Sequence, residues 1–535
     1  MRRRIRAAGR GAVTVTAVLA AATALAAPSG AVPGTPGLGP LGTATVHGDI
    51  YSTDTIPGQG PGTQTGVHAS IPGGTCSSVF VGGDGMPVAL CTAYVGTDPL
   101  ETTPPMVVLL DPATAAPLAR MQLPKGALLG GVYGYLDDQD RVVIADGDGV
   151  LHAVGHSRDA AGAWTLTDEV LADLDPLIRD GDYVTGLAPG VDGRIWFVTV
   201  NAVVGTVVPG EPASARTLDL PADAGQPAGE RVSNGITVRP GGASVMTTRA
   251  LYEVDQGEDS QPRIRWRRAY DPGAARHPGM LSHGSGSTPT YFGPNQDDYV
   301  AYLDAADQST LFVLDRASGE VRCEMPAFAT TLHPETAAPD GRLIAGPAQS
   351  ENSPIALESP GGGEWSLIIA NTYGFQYFPM AVDGPAVPAQ APYRGGMTSI
   401  VTDGSGCTRQ WTSNTRTATL PKATTGDRLI HGLSYGDLPA LPAQSAELPG
   451  AAEAERGVQD LLAAGLPQKV GPVYYTAIDA DTGAEVVRSF VGNAPLDEPM
   501  ELTGTVAPNT GDGDGPGVYW QGTVGRMLRI GPPAR

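Results

Sequence analysis

The chain of 535 residues is short of positive charge and of cysteine, and both shortages exclude classes of protein. It carries 34 Lys and Arg against 56 Asp and Glu, a formal net charge of −22. A protein of this charge repels phosphate, and no stripe of basic and aromatic residues is present, so nucleic acid is excluded as a partner. None of the four cysteines forms a CxxC pair or a Cys/His cluster with zinc spacing, which argues against a structural zinc site.

Other signatures are missing as well. With 72 Gly and 48 Pro, the chain lacks the Ala/Glu/Lys/Leu-rich runs of helical bundles and coiled coils. No segment beyond the N-terminal region is apolar enough to span a membrane, and no GxSxG precedes a helix to form the nucleophile elbow of a hydrolase. Hydrophobic residues still make up 41% of the chain, which is enough to build a core and excludes a disordered chain.

The N-terminal region has the pattern of an export signal. Five arginines stand among the first ten residues, an apolar stretch from Ala12 to Leu25 follows, and small residues around Ala26 suit signal peptidase. We therefore predict a signal peptide over residues 1–27, a flexible linker over 28–42, and a secreted protein without a membrane span once the signal is removed. An uncleaved membrane anchor and a twin-arginine export route are the alternatives.

The cysteines agree with an oxidising compartment. Cys76 and Cys91 flank a predicted hairpin with its turn at Gly82–Gly85, so they can face each other across paired strands. Cys323 and Cys407 are then the remaining pair. The alternative is that the cysteines are free buried thiols.

A divergent repeat predicts the fold. A strand and a turn are followed by a run of the form apolar-x-apolar-x-Asp, another turn and a final strand. Copies of this second half begin at Met106, Gly149, Ala250, Thr310, Thr398 and Tyr474. Most of these copies are about 40 to 90 residues apart, which is the length of a four-stranded antiparallel sheet with its loops. One such sheet cannot bury both faces, so several have to pack around an axis. We predict an all-β fold, a single β-propeller over residues 43–535 with eight four-stranded blades, or seven as the alternative.

Three further details complete this prediction. The segment Thr43–Ile56 alternates between polar and apolar residues, and we expect it to pair into the last blade and close the ring. Residues 439–469 have helical spacing between prolines, which predicts a short helix inserted into the seventh unit. We expect a monomer. The eight units are predicted to begin near Thr75, Gly130, Val184, Val232, Ser287, Asn352, Leu429 and Met500.

Two families of propeller resemble parts of the chain, each over one or two blades. YYTAIDADTGAEVV, from Tyr474, and LFVLDRASGEVRCEM, from Leu311, resemble the repeat of quinoprotein-like (PQQ-type) propellers. VSNGITVRPGGASVMTTRALYEVD, from Val232, resembles the Asn-Gly strand of gluconolactonase, paraoxonase and strictosidine-synthase-like propellers, which implies that Asn234 coordinates a central calcium ion. The adjacent cysteine pair and the regular Trp docking motif of quinoprotein dehydrogenases are absent, so PQQ is not expected.

Propeller geometry narrows the search for a site, because the starts of inner strands and the turns between second and third strands meet at one end of the central channel. Carboxylate and amide oxygens in such places suit Ca²⁺, and a nearby histidine suits general base catalysis. The predicted metal ligands are Asn234, Glu351, Asn352 and Asp304, the predicted catalytic residues are His283 and His431, and Ser233, Asp307 and Asn371 lie in equivalent places.

Each candidate also has a structural interpretation. Asn234-Gly235 can be a strand-entry turn, Glu351 and Asn352 can cap backbone groups, Asp304 and Asp307 fit an Asx turn, and both histidines can be structural.

The sequence therefore leaves two hypotheses. The first is a secreted lactonase- or esterase-like hydrolase with a divalent cation in the channel. The second is a non-catalytic propeller that binds a ligand or protein through an exposed aromatic patch at Tyr373, Phe375, Tyr377 and Phe378, which can equally be core strand.

Overall fold

The computed structural model gives eight blades of four antiparallel strands among the residues that it describes, and the sheet of one blade carries a fifth, parallel strand. These residues are 35–532 apart from 93, 96–100, 103, 125–132, 180, 222–228, 329–347, 376–384, 390, 392, 394, 418, 437–470, 495 and 509–514. All of the sheets belong to one compact unit, Val32–Arg535. The predicted signal peptide, residues 28–34 of the predicted linker and the predicted helix at 439–469 lie outside the described residues.

The first four blades follow one another along the chain, with the inner strand first. Blade 1 also carries a small hairpin, β5–β6, between its second and third strands. The strands are β3 (Thr75–Val81), β4 (Pro87–Thr92), β5 (Tyr94–Val95), β6 (Glu101–Thr102), β7 (Met106–Leu110) and β8 (Pro117–Gln122) in blade 1; β9 (Tyr135–Leu136), β10 (Val142–Ala145), β11 (Val150–Arg158) and β12 (Trp164–Asp173) in blade 2; β13 (Val184–Pro189), β14 (Ile195–Thr199), β15 (Val203–Val208) and β16 (Glu211–Asp219) in blade 3; β17 (Thr237–Arg239), β18 (Gly242–Met246), β19 (Ala250–Gln256) and β20 (Pro262–Ala269) in blade 4.

The second half of the ring repeats this order, and a short 3-10 helix, Asp175–Leu177, stands between blades 2 and 3. The strands are β21 (Thr290–Phe292), β22 (Tyr299–Leu303), β23 (Thr310–Asp315) and β24 (Val321–Pro326) in blade 5; β25 (Ile355–Glu358), β26 (Trp365–Ala370), β27 (Met397–Thr402) and β28 (Cys407–Ser413) in blade 6; β29 (Lys422–Thr424), β30 (Leu429–Tyr435), β31 (Gly471–Asp479) and β32 (Glu485–Ala494) in blade 7; β33 (Thr505–Ala507), β34 (Val518–Gly522), β35 (Met527–Gly531) and the N-terminal β2 (Gly66–Ser70) in blade 8.

The burial of the strands explains why the repeat is visible in the sequence. The second strands are apolar on both faces because each lies between two neighbouring blades: β10 and β14 are buried at every position. The outer strands have one face in solvent, so β24 alternates between half-buried and exposed residues. The large side chains that fill the spaces between blades include Trp196, Tyr252 and Tyr302, all fully buried.

The ring is closed by an N-terminal strand, as predicted, but not by the predicted one. Strand β2 pairs antiparallel with β35 and supplies the fourth strand of blade 8, with Gly66 opposite Gly531. The expectation that Thr43–Ile56 closes the ring is wrong. This segment turns at Gly48, Ser52 and Asp54, all at positive φ, and only its last two residues, β1 (Thr55–Ile56), join a sheet, where they pair parallel with β29 of blade 7.

Two other expectations were tested directly. Both disulfides are confirmed: Cys76–Cys91 joins β3 to β4, and Cys323–Cys407 joins the outer strands of blades 5 and 6. The start of the seventh unit at Leu429 is wrong by one strand, since Leu429 opens β30 and the inner strand begins at Lys422. An inner strand of only three residues is too short to show an alternating pattern.

In the part of the chain that is described, no helix is long and apolar enough to cross a bilayer.

Candidate functional site at the mouth of the hub

The hub of the ring is occupied by the chain itself. Residues 42–56, here called the hub segment, follow the inner strands around the axis and are almost entirely buried. Backbone N–H groups of the inner strands of six blades donate to carbonyls of the hub segment. Blade 8 is joined to the hub segment by the hydroxyls of Thr503 and Thr505, which donate to two further carbonyls. The backbone bonds run from Val81 to Thr43 (3.3 Å), Leu136 to Ala44 (2.7 Å), Val238 to Ile50, Tyr291 to Tyr51, Ala356 to Thr53 and Ala423 to Asp54 (each 2.9 Å).

The predicted linker contributes to this arrangement as far as it is described. Leu38 packs into the core, and the Gly39 N–H donates to the Leu136 carbonyl at 2.9 Å. Residues 35–42 are therefore attached to the ring rather than free of it.

Two of the predicted metal ligands meet where the inner strands begin, an end of the hub that we call the mouth. Asn234 precedes the inner strand of blade 4 and Glu351 that of blade 6. The Asn234 Nδ2 lies 3.5 Å from Glu351 Oε1 and also donates to the Gly286 carbonyl. Loops of blades 4, 5 and 6 therefore converge on one carboxylate.

The Glu351 side chain is buried with few polar partners. Besides Asn234, it accepts a bond from the Leu281 N–H at 3.3 Å. Gly286 makes the room, because a Cβ there would stand 2.1 Å from the Glu351 carboxyl carbon. Burial raises the pKa of Glu351 from 4.5 to about 7, although the bonds from Leu281 and Asn234 act against this rise.

Tyr133, from the loop before blade 2, completes this group. Its hydroxyl donates to Asn234 Oδ1 at 3.1 Å. Gly235, the glycine of the Asn-Gly pair, allows this approach because it lies against the Tyr133 ring without a side chain. The backbone of blade 3 is close as well: a Cβ on Gly186 would stand 2.7 Å from the Gly235 Cα. The Asn-Gly pair thus serves both interpretations that the sequence left open, a strand entry and a site residue.

Asn352 follows Glu351 into the same buried region. It is 3% exposed, and neither its Oδ1 nor its Nδ2 has a hydrogen-bond partner among the described residues. Its backbone N–H, in contrast, is paired, since it donates to Ser350 Oγ at 3.1 Å. A buried amide with both polar atoms free is costly unless a water, an ion or a ligand satisfies them. We call Glu351, Asn234, Tyr133 and Asn352 the mouth cluster.

A second buried group lies at the same end of the hub. Asp54, in the hub segment, pairs with Lys422 Nζ, accepts a bond from the Ser353 hydroxyl and lies 3.0 Å from His47 Nδ1. Lys422 is 1% exposed and also donates to the Val46 carbonyl. Burial alone would raise the pKa of Asp54, but the charge of Lys422 and the hydrogen bonds from Lys422 and His47 outweigh it and lower the pKa.

The remaining predicted acidic and amide residues lie apart from the mouth cluster. Asp304 is buried in the turn between β22 and β23, where its Oδ1 accepts the Thr310 N–H at 2.7 Å. Burial raises its pKa to about 6, and the carboxylates that act on it are Asp271 and Glu324. Asp307 is exposed, 3.4 Å from His277, and Asn371 is bonded to backbone groups of its own loops.

The two predicted catalytic histidines are placed differently. His283 lies on the loop before blade 5, with Nε2 3.0 Å from the Gly273 carbonyl. His431 lies within the second strand of blade 7, so its expected place at an inner-strand start is wrong. Thr424 Oγ1 and the Tyr475 hydroxyl, each at 2.8 Å, bond its two ring nitrogens. Burial lowers the pKa of His431 to about 4, despite the charge of Asp427. Both ring nitrogens of His431 are thus engaged inside the sheet, and its role as a base stays a prediction.

The aromatic patch and a carboxylate-rich metal site can also be checked. Phe375 is 2% exposed and packs edge-on against Tyr393, so it is core; Tyr373 is half-buried, and Tyr377 and Phe378 lie outside the described residues. Within the described ranges, no group of three or more His, Cys, Asp or Glu side chains has the geometry of a metal site. A cation at the mouth would have to rely on amide, hydroxyl and backbone oxygens beside Glu351.

Comparisons with known proteins agree with the fold and add no chemistry. The chain is similar to the quinohemoprotein alcohol dehydrogenase of Comamonas testosteroni, with a TM-score of 0.52 and 12% identity over 92% of this chain and 81% of that one. It is also similar to the quinohemoprotein alcohol dehydrogenase ADHIIG of Pseudomonas putida HK5, with a TM-score of 0.50 and 11% identity over the same shares. At this identity the likeness defines an eight-bladed β-propeller and nothing finer.

Sequence comparisons reach less far. No protein-family profile matches the chain. An uncharacterised protein of Archaeoglobus fulgidus is 32% identical over 130 residues, which are 24% of this chain and 25% of that protein. The matched region therefore spans about a quarter of the length of that relative. The likeness to quinoproteins is separate from it and is a likeness of fold.

Proposed function

We propose that this chain is an exported β-propeller with a divalent cation, best matched by Ca²⁺, at the mouth of its hub, and that it acts as a lactonase- or esterase-like hydrolase. The observation that carries the proposal is the contact of Asn234 with Glu351 at 3.5 Å, from loops of different blades. The Glu351 carboxylate is buried and keeps a raised pKa despite the charge of Arg276, and the next residue in the chain, Asn352, is a buried amide whose two polar atoms have no hydrogen-bond partner among the described residues. Export is supported by the two disulfides.

The residues of the mouth cluster fit a hard cation. Glu351 supplies one negative charge and Asn352 an amide oxygen. The Asn234 Nδ2 now faces Glu351 and the Gly286 carbonyl, so Asn234 would supply its Oδ1, and the Gly286 carbonyl would be released, when the amide of Asn234 turns over. Such an ion polarises a substrate carbonyl and lowers the pKa of bound water. Asp304 is left out of this ligand set because its carboxylate is bonded to its own turn. The expectations that PQQ is not bound and that the protein is a monomer stay predictions.

Metal analysis and thermal melts test the cation. We expect purified mature protein to contain close to one Ca²⁺ per chain, and EDTA to lower its Tm, because a ligand that binds only the folded state stabilises it. Glu351→Gln should lose both the bound metal and the response to EDTA. The matched control is Asp304→Asn, another buried carboxylate of raised pKa, which should keep both. Metal-free protein with a melt that EDTA does not change would remove the cation from the proposal.

A second function, binding without catalysis, is favoured by a different observation. The hub segment fills the hub, so a ligand has to bind at the mouth or on the outer surface rather than in an open channel. Hydrolysis assays on p-nitrophenyl acetate and γ-butyrolactone separate the two functions. Turnover that depends on Ca²⁺ and on Glu351 supports the hydrolase, and Ca²⁺ binding without turnover supports the binding propeller.

A further inference from the structure

A small cavity lies where the hub segment passes blade 3. Its volume is about 30 Å³, and its lining includes His47 and Asp49 of the hub segment, Tyr133 and Gly235 of the mouth, and Leu187 and Ala188 of blade 3. This volume is large enough to hold a water molecule, and a water needs polar partners to stay in such a place. The cavity shares Tyr133 with the mouth cluster, so it lies directly beside the proposed site.

His47 has one ring nitrogen engaged and one free. Its Nδ1 lies 3.0 Å from Asp54 Oδ1 and 3.2 Å from Ser353 Oγ. Its Nε2 is buried and has no hydrogen-bond partner among the described residues. Because Lys422 keeps Asp54 ionised, the Asp54 oxygen can only accept, so the proton of the neutral imidazole belongs on Nδ1 and the lone pair on Nε2.

We propose that His47 is the general base of this protein and that it activates a water held in the cavity beside blade 3. The inference rests on the proposed hydrolase function and assigns the base to a residue of the hub segment. A histidine whose second nitrogen is fixed by a carboxylate is the arrangement that general base catalysis requires. The His47 and Tyr133 rings are stacked with centroids 6.3 Å apart, and the Tyr133 hydroxyl bonds Asn234, which contacts Glu351.

The reaction step balances without an added reactant. The water oxygen forms a bond to the carbonyl carbon of the ester or lactone while one water proton passes to His47 Nε2. The resulting tetrahedral oxyanion collapses and breaks the bond from carbon to the alkoxide oxygen, which takes the proton back from the imidazolium. Ester and water become acid and alcohol. Asp54, held ionised by Lys422, stabilises the imidazolium between the two proton transfers.

The test uses Ca²⁺-loaded full-length mature protein and measures kcat and KM for p-nitrophenyl acetate and γ-butyrolactone against pH. His47→Asn keeps an amide N–H near the place of Nδ1 and removes Nε2. We expect kcat/KM to fall at least about 100-fold, with KM little changed, and its decrease at acidic pH to disappear. The control is His152→Asn: His152 is also buried and held by Asp146 and Asp168, but it lies in blade 2 away from the hub, and its kcat/KM should not change.

The outcomes separate the two proposals. An active wild type whose His47→Asn variant is as fast as His152→Asn overturns the role of His47 and leaves the hydrolase proposal standing. A Ca²⁺-loaded wild type that hydrolyses neither probe overturns both. If His47→Asn does not fold, nitrogen NMR of the wild-type imidazole decides: the inference requires a bare Nε2 and a protonated Nδ1, and the opposite tautomer overturns it.

Discussion

The two buried carboxylates at the hub mouth are alike in burial and opposite in chemistry. Asp54 is 3% exposed and Glu351 is 8% exposed. Asp54 forms an ion pair with the ammonium group of Lys422, and its pKa is lowered. Glu351 instead accepts bonds from the Asn234 amide and from a backbone N–H, and its pKa is raised to about 7. Burial therefore does not decide the charge of a carboxylate here; the presence of a cation in direct contact does.

The difference assigns the two groups separate tasks. The cation that pairs with Asp54 is the side chain of Lys422, and this ion pair has a structural role because it connects the hub segment to blade 7. Glu351 is under the charge of Arg276, yet its pKa stays raised, so an ion from solution would still be attracted to it. Three changes test this contrast, in order of decreasing expected effect.

The largest effect is expected from Lys422→Met. This change leaves Asp54 buried without its counter-charge, and breaking a buried ion pair from one side costs about 3–5 kcal/mol. Urea unfolding at pH 7.5 measures the loss. The double variant Lys422→Met, Asp54→Asn removes both charges and should recover much of the stability. A loss below about 1 kcal/mol in the single variant would mean that the pair does not hold the hub segment.

Glu351→Gln should have the opposite sign in metal-free protein. Folding raises the pKa of Glu351 from 4.5 to about 7, so its contribution to the free energy of unfolding is full below pH 4.5 and is lost as pH rises through 7. The loss at pH 8 is up to about 3 kcal/mol, from about 1.4 kcal/mol per pKa unit. Gln does not ionise, so the variant should be the more stable protein at pH 8 and close to wild type at pH 4.

Urea unfolding in EDTA at pH 4, 6 and 8 checks this expectation. Part of the slope should remain in the variant, because burial also raises the pKa values of Asp49 and Asp304 to about 6. Parallel pH profiles for wild type and Glu351→Gln would show that the carboxylate is solvated or paired, and the contrast with Asp54 would disappear.

The smallest effect is expected from Tyr133→Phe. It removes the hydroxyl that donates to Asn234 at 3.1 Å and leaves the ring in place, so the free energy of unfolding should fall by about 1 kcal/mol. The consequence for the site is more informative. If Tyr133 orients Asn234 as a ligand, the variant should bind Ca²⁺ more weakly in a calorimetric titration, while Tyr270→Phe, another buried tyrosine, should not.

The sequence was sufficient for the fold and for part of the site. Apolar second strands and half-exposed outer strands repeat along the chain, and their spacing predicts the blades. Asn234 and Glu351 were found because inner-strand starts meet at one end of any propeller. His47, Asp54 and Lys422 were missed, since their contacts depend on the path of the hub segment. That path is set by residues at positive φ such as Ser52 and Asp54, which an alternating pattern does not reveal.

The misplaced residues have equally physical causes. His431 looked like a strand-start residue because the three residues of the preceding inner strand give no period from which to locate it. Asp304 resembles a ligand by residue type, but its oxygen is used by its own turn at Thr310. Residue type and strand position therefore define candidates, and only the hydrogen bonds already made distinguish those that remain free.

The N-terminal closing strand has a consequence for the order of folding. Residues 42–70 are made early during synthesis, yet β2 finds its partner β35 only when the C-terminal end of the chain has appeared. Contacts that span nearly the whole sequence form slowly, and open strand edges are exposed meanwhile. A chain synthesised only as far as blade 7 therefore leaves β2 without its partner, and the ring can close only after residues 505–531 have been made.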